Sequence, residues 1–257
     1  MKIGTYNIRY DAFVDKDWSW QARKPFVLAQ LKAMDCDVFG IDEALPHQRE
    51  DLVAAFPDHD SLGVARDNGV DEGEFNLLFY RKARFDLIDS GYEWISATKD
   101  QPSRYPGAGS NRIIVWAVLE DTATQKRFLA AVTHLDDQSE EARVFGVSRI
   151  RQLVEAHDDL PAIVVGDFNM YVTDEGYKQM VSFMDDSMLD DEGQPIVTAT
   201  FQDNSEFHPH NPSRFTRIDY LFTRGMKTLG VTAGTMIADN GLYPSDHFPV
   251  WGVYQLV

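Results

Sequence analysis

Cysteine is nearly absent: Cys36 is the only one in 257 residues. A lone thiol excludes an intramolecular disulfide framework and suits a reducing compartment, so the chain reads as cytoplasmic. Cys36 lies in Met-Asp-Cys-Asp-Val between a helical pattern and a strand. Nothing there would lower a thiol pKa, which makes it a packed side chain rather than a nucleophile. Long apolar runs are missing too, and none approaches the ~20 residues that cross a bilayer. The first residues, Met-Lys-Ile-Gly-Thr-Tyr-Asn, enter a strand-like pattern with no apolar signal region. Positive charge is scarce, with 24 Lys and Arg against 41 Asp and Glu and a net charge of −17. Long nucleic acid is held by Lys and Arg that displace counterions, so no stable duplex DNA binding is expected. The same repulsion argues against anionic membranes. What remains is ordinary globular composition, 44% hydrophobic and 25% charged. The length allows one large α/β domain or two small ones, and the strand pattern favours a single domain over residues 1–257.

The most informative stretch runs from Ala162 to Tyr171, Ala-Ile-Val-Val-Gly-Asp-Phe-Asn-Met-Tyr. Its β-branched residues predict a buried strand ended by Gly166. Asp167 and Asn169 follow at i and i+2, so an extended backbone sends both side chains the same way. A carboxylate and a carboxamide at the end of a buried strand serve packing poorly, but they can hold a water molecule or a hard cation.

In chain order, Ile3–Arg9 predicts a strand carrying Asn7. Ser19 is placed to cap a helix over Trp20–Met34, with Pro25 as an alternative first helical position. Val38–Ile41 is a second strand ending in Asp42-Glu43, and His47–Phe56 a second helix. Polar groups at the carboxyl ends of adjacent parallel strands are where α/β sheets place ligands. The spacing then predicts strands over Leu62–Ala65, Phe75–Tyr80 and Phe85–Ile95. The acidic loop Asp67–Gly73 lacks the Asp-x-Asp-x-Asp-Gly order of a calcium loop and reads as a solvated hairpin. Ile113–Leu119 and Phe128–Leu135 form a hairpin ending in Thr133-His134-Leu135-Asp136. Ser139 opens a helix with an apolar face, and the Asp167 strand follows.

Strand with a polar end, helix, strand with an acidic end therefore occurs twice. Two such halves packed sheet against sheet, helices outside, bring all polar ends to one edge. Further on, Thr173–Phe183 predicts a helix, and the acidic run from Asp185 to Glu192 reads as solvent-exposed. His208-Pro209-His210 reads as loop rather than chelate. Strands are expected at Arg217–Phe222, carrying Asp219, at Val231–Ile237, and after Ser245-Asp246-His247. Trp18, Trp20 and Trp94 read as packing residues in preference to a cleft lining.

The strand-end polar residues are Asn7, Glu43, His134, Asp167, Asn169, Asp219, Asp246 and His247. Gathering them in one pocket is costly, because like charges repel when desolvated. A divalent cation relieves that cost, and acidic oxygen ligands suit Mg²⁺ or Mn²⁺ better than Zn²⁺.

The ordered motifs Thr-Tyr-Asn7-Ile-Arg, Ile-Asp-Glu43, Thr-His134-Leu-Asp, Gly-Asp167-Phe-Asn169, Arg-Ile-Asp219-Tyr and Ser-Asp246-His247-Phe-Pro-Val resemble the endonuclease/exonuclease/phosphatase superfamily, from Asn7 to Val250. Gly-Glu-Phe-Asn (73–76) and Phe-Tyr-Arg-Lys (79–82) resemble its bacterial members. The resemblance implies an α/β fold, a four-layered α/β/β/α sandwich of the DNase I-like type, and metal-dependent hydrolysis of a phosphoester. It makes Glu43 the principal Mg²⁺ (or Mn²⁺) ligand, with Asn7 and Asp246 shaping the metal site. Asp167 would deprotonate water and Asn169 position it. His247, oriented by Asp219, would stabilise phosphoryl oxygens or act as an acid, and His134 would contact the phosphate. Arg9 and Arg112 are candidates for binding substrate phosphate. Two departures stand out: Asp42 where many relatives carry Gln, and Val132 where many carry Asn. A small phosphorylated metabolite or a short single-stranded oligonucleotide suits the acidic surface. A non-catalytic module binding a phosphate ligand on the same fold is the alternative.

Overall fold

The computed structural model describes residues 1–202 and 215–257, so His208 and His210 lie outside the described residues. Its first half contains β1 (Lys2–Asn7), a 3₁₀ turn (Phe13–Trp18), α1 (Trp20–Met34), β2 (Val38–Ala44), α2 (Pro46–Ala55), β3 (His59–Leu62), β4 (Phe75–Arg81) and β5 (Phe85–Trp94). There follow β6 (Ile113–Asp121), β7 (Lys126–His134), α3 (Glu140–Ala156), β8 (Ala162–Asp167), α4 (Glu175–Met180), β9 (Asp185–Asp186), β10 (Asp219–Arg224), β11 (Met226–Ala233) and β12 (Val250–Leu256).

The strands form two six-stranded sheets, ordered β11-β12-β1-β2-β4-β3 and β5-β6-β7-β8-β10-β9. Each is built on one parallel pair joined by a helix, β1 with β2 and β7 with β8, and antiparallel strands flank both pairs. The repeated strand-helix-strand plan is thus the nucleus of each sheet. The last two strands return to the first sheet, so the halves of the sandwich are not the halves of the sequence.

Alternation along the strands assigns the layers. In β2, Val38 packs into the core shared by the sheets, while Phe39 and Ile41 face α1 and α2. Gly40 lies between the sheets, where a Cβ would sit 2.7 Å from Val132 Cγ2 and 2.9 Å from Val165 Cγ2. Its missing side chain lets the sheets close here against Val132 and Val165. On the other outer face, α3 buries Val147, Ile150, Leu153 and Val154 on one stripe. Each fully buried aliphatic side chain contributes ~1.5–3 kcal/mol.

Local expectations differ in a few places. Helix α1 starts at Trp20, whose N–H donates to Asp11 Oδ1 at 2.8 Å, while the Ser19 side chain makes no cap bond. Pro25 lies inside α1. By contrast, Ser139 caps α3 by accepting from the Ala142 N–H at 3.2 Å. The third strand is His59–Leu62, and Ala65 makes only an isolated bridge to Phe75. Asp186 is buried against Arg217 (3.0 Å) and the Tyr177 hydroxyl (2.8 Å), so the acidic run is not uniformly solvated. Trp18, Trp20 and Trp94 are buried. No helix among the described residues is long and apolar enough to cross a membrane.

Candidate active site

The two parallel pairs end at the same edge of the sandwich. Register places Asn7 beside Asp42 and His134 beside Asp167. Sharp turns after these strands aim the side chains. Gly166 has φ +137°, and a Cβ there would lie 1.9 Å from the Thr133 carbonyl oxygen, so only glycine fits. Two residues beyond each key strand end, the same small turn recurs. Asn7 Oδ1 accepts from Arg9 N–H at 3.0 Å with Arg9 at φ +56°. Asp167 Oδ1 accepts from Asn169 N–H at 2.9 Å with Asn169 at φ +48°. These side-chain-to-backbone bonds hold left-handed residues that would otherwise be strained.

Asp167 is the hub. Its Oδ2 accepts from Asn7 Nδ2 at 3.1 Å and lies 3.4 Å from His134 Nε2 and 3.6 Å from His247 Nε2. His247 Nδ1 meets Asp219 Oδ2 at 2.9 Å. Asn169 Nδ2 contacts His134 Nε2 at 3.0 Å and donates to the Leu135 carbonyl at 3.1 Å. Asn7 Nδ2 also donates to Glu43 Oε1 at 2.9 Å, and the Tyr10 N–H donates to Glu43 Oε2 at 3.1 Å. Ligand atoms of Glu43, His134 and Asp167 all lie within 4.8 Å of one another, as do those of Asp167, Asp219 and His247.

Asp246 lines the cavity together with Glu43, Asp167 and His247, whereas Arg9 falls differently from the expectation. Arg9 Nη1 binds Asp246 Oδ2 at 2.9 Å, while Arg9 Nη2 binds Asp15 at 2.7 Å. Arg9 is therefore a buried strut beneath Asp246 and does not line the cavity, because its left-handed turn directs it under the site. Arg112 does line the cavity. It is 6% exposed, gives Nη2 to Asp137 Oδ1 at 2.8 Å, and keeps Nε and Nη1 without a hydrogen-bond partner.

Residues not singled out from sequence complete the frame. Arg23, fully buried, donates to the carbonyls of Ile8 (2.8 Å), Arg9 (3.0 Å) and Pro244 (2.8 Å), tying the loop after β1 to the segment before Ser245. A lone Arg in an amphipathic helix carries no signal of this. Asp42 is fully buried between the sheets, accepting from Asn76 Nδ2 and from the Asp167 N–H (2.9 Å). It braces the base from behind rather than facing the cavity.

Electrostatics separates the titrating groups. Burial, then the Asp219 carboxylate, raises the Asp167 carboxyl to about 7, against the pull of His247. Burial alone would lower His247, but Asp219 and Asp167 outweigh it and hold the ring protonated well above the usual histidine range. His134 is pushed well below that range by burial, then Arg112 and Arg66, and is neutral. Asp42 is raised well above the carboxylate range by burial and by Asp167. A buried group of carboxylates with one imidazolium is short of positive charge, and its oxygen donors fit a divalent cation.

Paired mixed sheets with outer helices and polar strand ends at one edge define the class of DNase I-like sandwiches. The model of the endonuclease/exonuclease/phosphatase family matches residues 4–247, and the chain belongs to that family. Its members are typically hydrolases acting on phosphoester bonds and usually use a divalent metal. Among solved structures, the chain is similar to an endonuclease/exonuclease/phosphatase from Bacteroides vulgatus, with 31% identity over 100% of this chain and 98% of that one, TM-score 0.88. It is similar to the mannosyl-6-phosphatase Bt3783 of Bacteroides thetaiotaomicron VPI-5482, with 29% identity over 99% of each chain, TM-score 0.87. The human Nocturnin catalytic domain shares the fold at 19% identity over 100% of this chain and 93% of that one, TM-score 0.79. Comparison with curated proteins finds no match.

Proposed function

We propose that the protein is a divalent-metal-dependent phosphoesterase in which a water held at Asp167 attacks phosphorus in a small phosphorylated molecule. The observation that carries this reading is the convergence on Asp167 of Glu43, His134 and the Asp219–His247 pair, from strand ends of both sheets. Glu43 and Asn7, with Asp246 nearby, would hold Mg²⁺ or Mn²⁺. Bound there, the cation supplies Lewis-acid neutralisation of the phosphoryl oxygens.

The chain's own groups do the rest. As the water oxygen bonds to phosphorus and the P–O bond to the leaving group breaks, Asp167 takes the water proton. Its raised affinity for a proton near neutrality suits that task. Asn169 positions the water. The His247 imidazolium, its tautomer and orientation fixed by Asp219, stabilises charge developing on the phosphoryl group. Neutral His134 and the Arg112 guanidinium, which both line the cavity, bind the remaining oxygens. The likeness to a mannosyl-6-phosphatase favours a phosphomonoester. The net charge of −17 disfavours duplex DNA.

The test is phosphate or nitrophenol release from p-nitrophenyl phosphate and bis(p-nitrophenyl) phosphate with Mg²⁺ or Mn²⁺. EDTA-sensitive hydrolysis of either supports the reading. Metal binding with hydrolysis of neither would leave a binding module.

A further inference from the structure

The cavity that contains the catalytic groups, of about 500 Å³, extends beyond them. One wall is built by the segment between β3 and β4, which carries Arg66 and Glu74, by the loop before β6, which carries Ser110 and Arg112, and by the entry and first turn of α3, which carry Gln138 and Arg143. Arg112 stands at the junction, lining the same cavity as His134 and Asn169, with its Nη2 on Asp137 and its Nε 3.7 Å from Asp136 Oδ2.

Past that point the wall is charged yet internally paired. Arg66 Nη1 donates to Glu74 Oε2 at 2.6 Å and Arg66 Nη2 to Ser110 Oγ at 3.3 Å. Arg143 Nη1 donates to the Asp136 carbonyl at 2.9 Å. The Nε groups of Arg66 and Arg143 are buried without a hydrogen-bond partner. The wall is also rigidly mounted. The Arg66 N–H pairs with the Glu74 carbonyl at 2.9 Å. The Arg66 carbonyl accepts from Trp94 Nε1 at 2.7 Å.

Two properties of this wall limit what it can hold. Arg66 has already given its terminal fork to Glu74 and Ser110, so its pull on a second anion is offset by a carboxylate. An apolar or flat aromatic group set against the Arg66–Glu74 pair, whose side chains keep 15% and 14% of their surface exposed, would strip water from it without replacing the lost hydrogen bonds, at ~1–3 kcal/mol each. A hydroxyl needs one donor and one acceptor side by side, which an arginine edge next to a carboxylate oxygen provides.

We infer that this wall selects substrates whose leaving group is a small neutral polyol such as a monosaccharide, with the Arg66–Glu74 pair and Arg143 reading its hydroxyls. The inference rests on the phosphoesterase reading and adds the chemical class of the group released. The phosphate-centred chemistry is common to any ester, and the wall decides which ester fits.

The experiment compares kcat/KM for a hexose 6-phosphate with that for cyclohexylmethyl phosphate, an ester of similar size with no ring hydroxyls. The wild-type protein should favour the hexose ester by about a hundredfold. In Glu74→Gln and Arg66→Gln that ratio should drop about tenfold or more, chiefly through KM for the hexose ester. A wild-type ratio near one, or a ratio unchanged in both folded variants, overturns the inference. If neither ester nor p-nitrophenyl phosphate is hydrolysed, the phosphoesterase reading falls by itself. The wall is then judged by calorimetry with the same two esters: hexose 6-phosphate should bind about tenfold tighter, and equal affinity overturns the inference.

Discussion

The reacting centre and the wall beside it are built on opposite principles. At the centre, Asn7, His134, Asp167 and Asp219 sit in β-ladders whose pairing fixes where each one points, and Glu43 sits at φ +66° in the register break at the end of β2. On the wall, Arg66, Glu74 and Arg143 sit outside the sheet ladders and are held by bonds to each other and to loop backbone. On the proposed reading, chemistry that tolerates little displacement is mounted on strand ends, while recognition, which must differ between related enzymes, is mounted on loops and the first turn of α3. The contrast also separates expected losses: changes at the centre act on kcat, and changes on the wall act on the choice of substrate.

The sharpest way to break this comparison is at the centre. His247→Ala or Asp167→Ala should lower kcat for p-nitrophenyl phosphate by about a thousandfold or more. Circular dichroism should stay that of the folded protein. An equal loss from a wall variant would erase the distinction. Next comes the brace behind the base. Asp42→Val leaves the Asp167 N–H and Asn76 Nδ2 without their shared acceptor, at ~1–3 kcal/mol for each unpaired donor. Its denaturation midpoint should fall clearly below that of the wild-type protein.

Arg112 tests the border between the regions. Arg112→Met should reduce kcat/KM by about 10- to 100-fold, from the loss of charged hydrogen bonds. A loss that appears equally with the hexose and cyclohexylmethyl esters assigns Arg112 to the phosphate.

A milder effect follows from protonation. Asp167, raised to about 7, keeps its proton in the folded metal-free protein between the unfolded carboxyl value near 4 and about 7. Ionising it in the fold is therefore unfavourable, and its contribution to stability is lost as pH rises through that window. A cation needs the ionised form, so Mg²⁺ should raise the melting temperature more at pH 8 than at pH 5.5. Equal shifts at both values would remove Asp167 from the cation's surroundings. The smallest change belongs to Asp71→Asn. Asp71 is exposed at the tip of the loop and caps nothing beyond Asn68, so stability should move by less than about 0.5 kcal/mol and the selectivity ratio not at all.

The centre was legible in sequence because short polar motifs at the ends of apolar strands are unusual, and here they recur in a fixed order. The four-layered sandwich followed from the same reading. Arg9 shows the limit of such reading. It was assigned to substrate phosphate, but with Arg9 in a left-handed turn its guanidinium binds Asp246 and Asp15. The wall left no trace. The stretch 67–73 reads correctly as a solvated hairpin, yet its importance lies at its two ends, Arg66 and Glu74. As letters these are ordinary charges, and only their pairing across the turn gives them a role.

One hydrogen bond has a consequence for how the molecule can fail. The amide of Asp167, the proposed base, belongs to one sheet and its acceptor, Asp42, to the other, so this bond works as a clasp across the sandwich. Prising the sheets apart at this edge breaks that bond and frees Asp167 from its brace. Deuterium exchange at that single amide is therefore a gauge of whether the two layers are still closed.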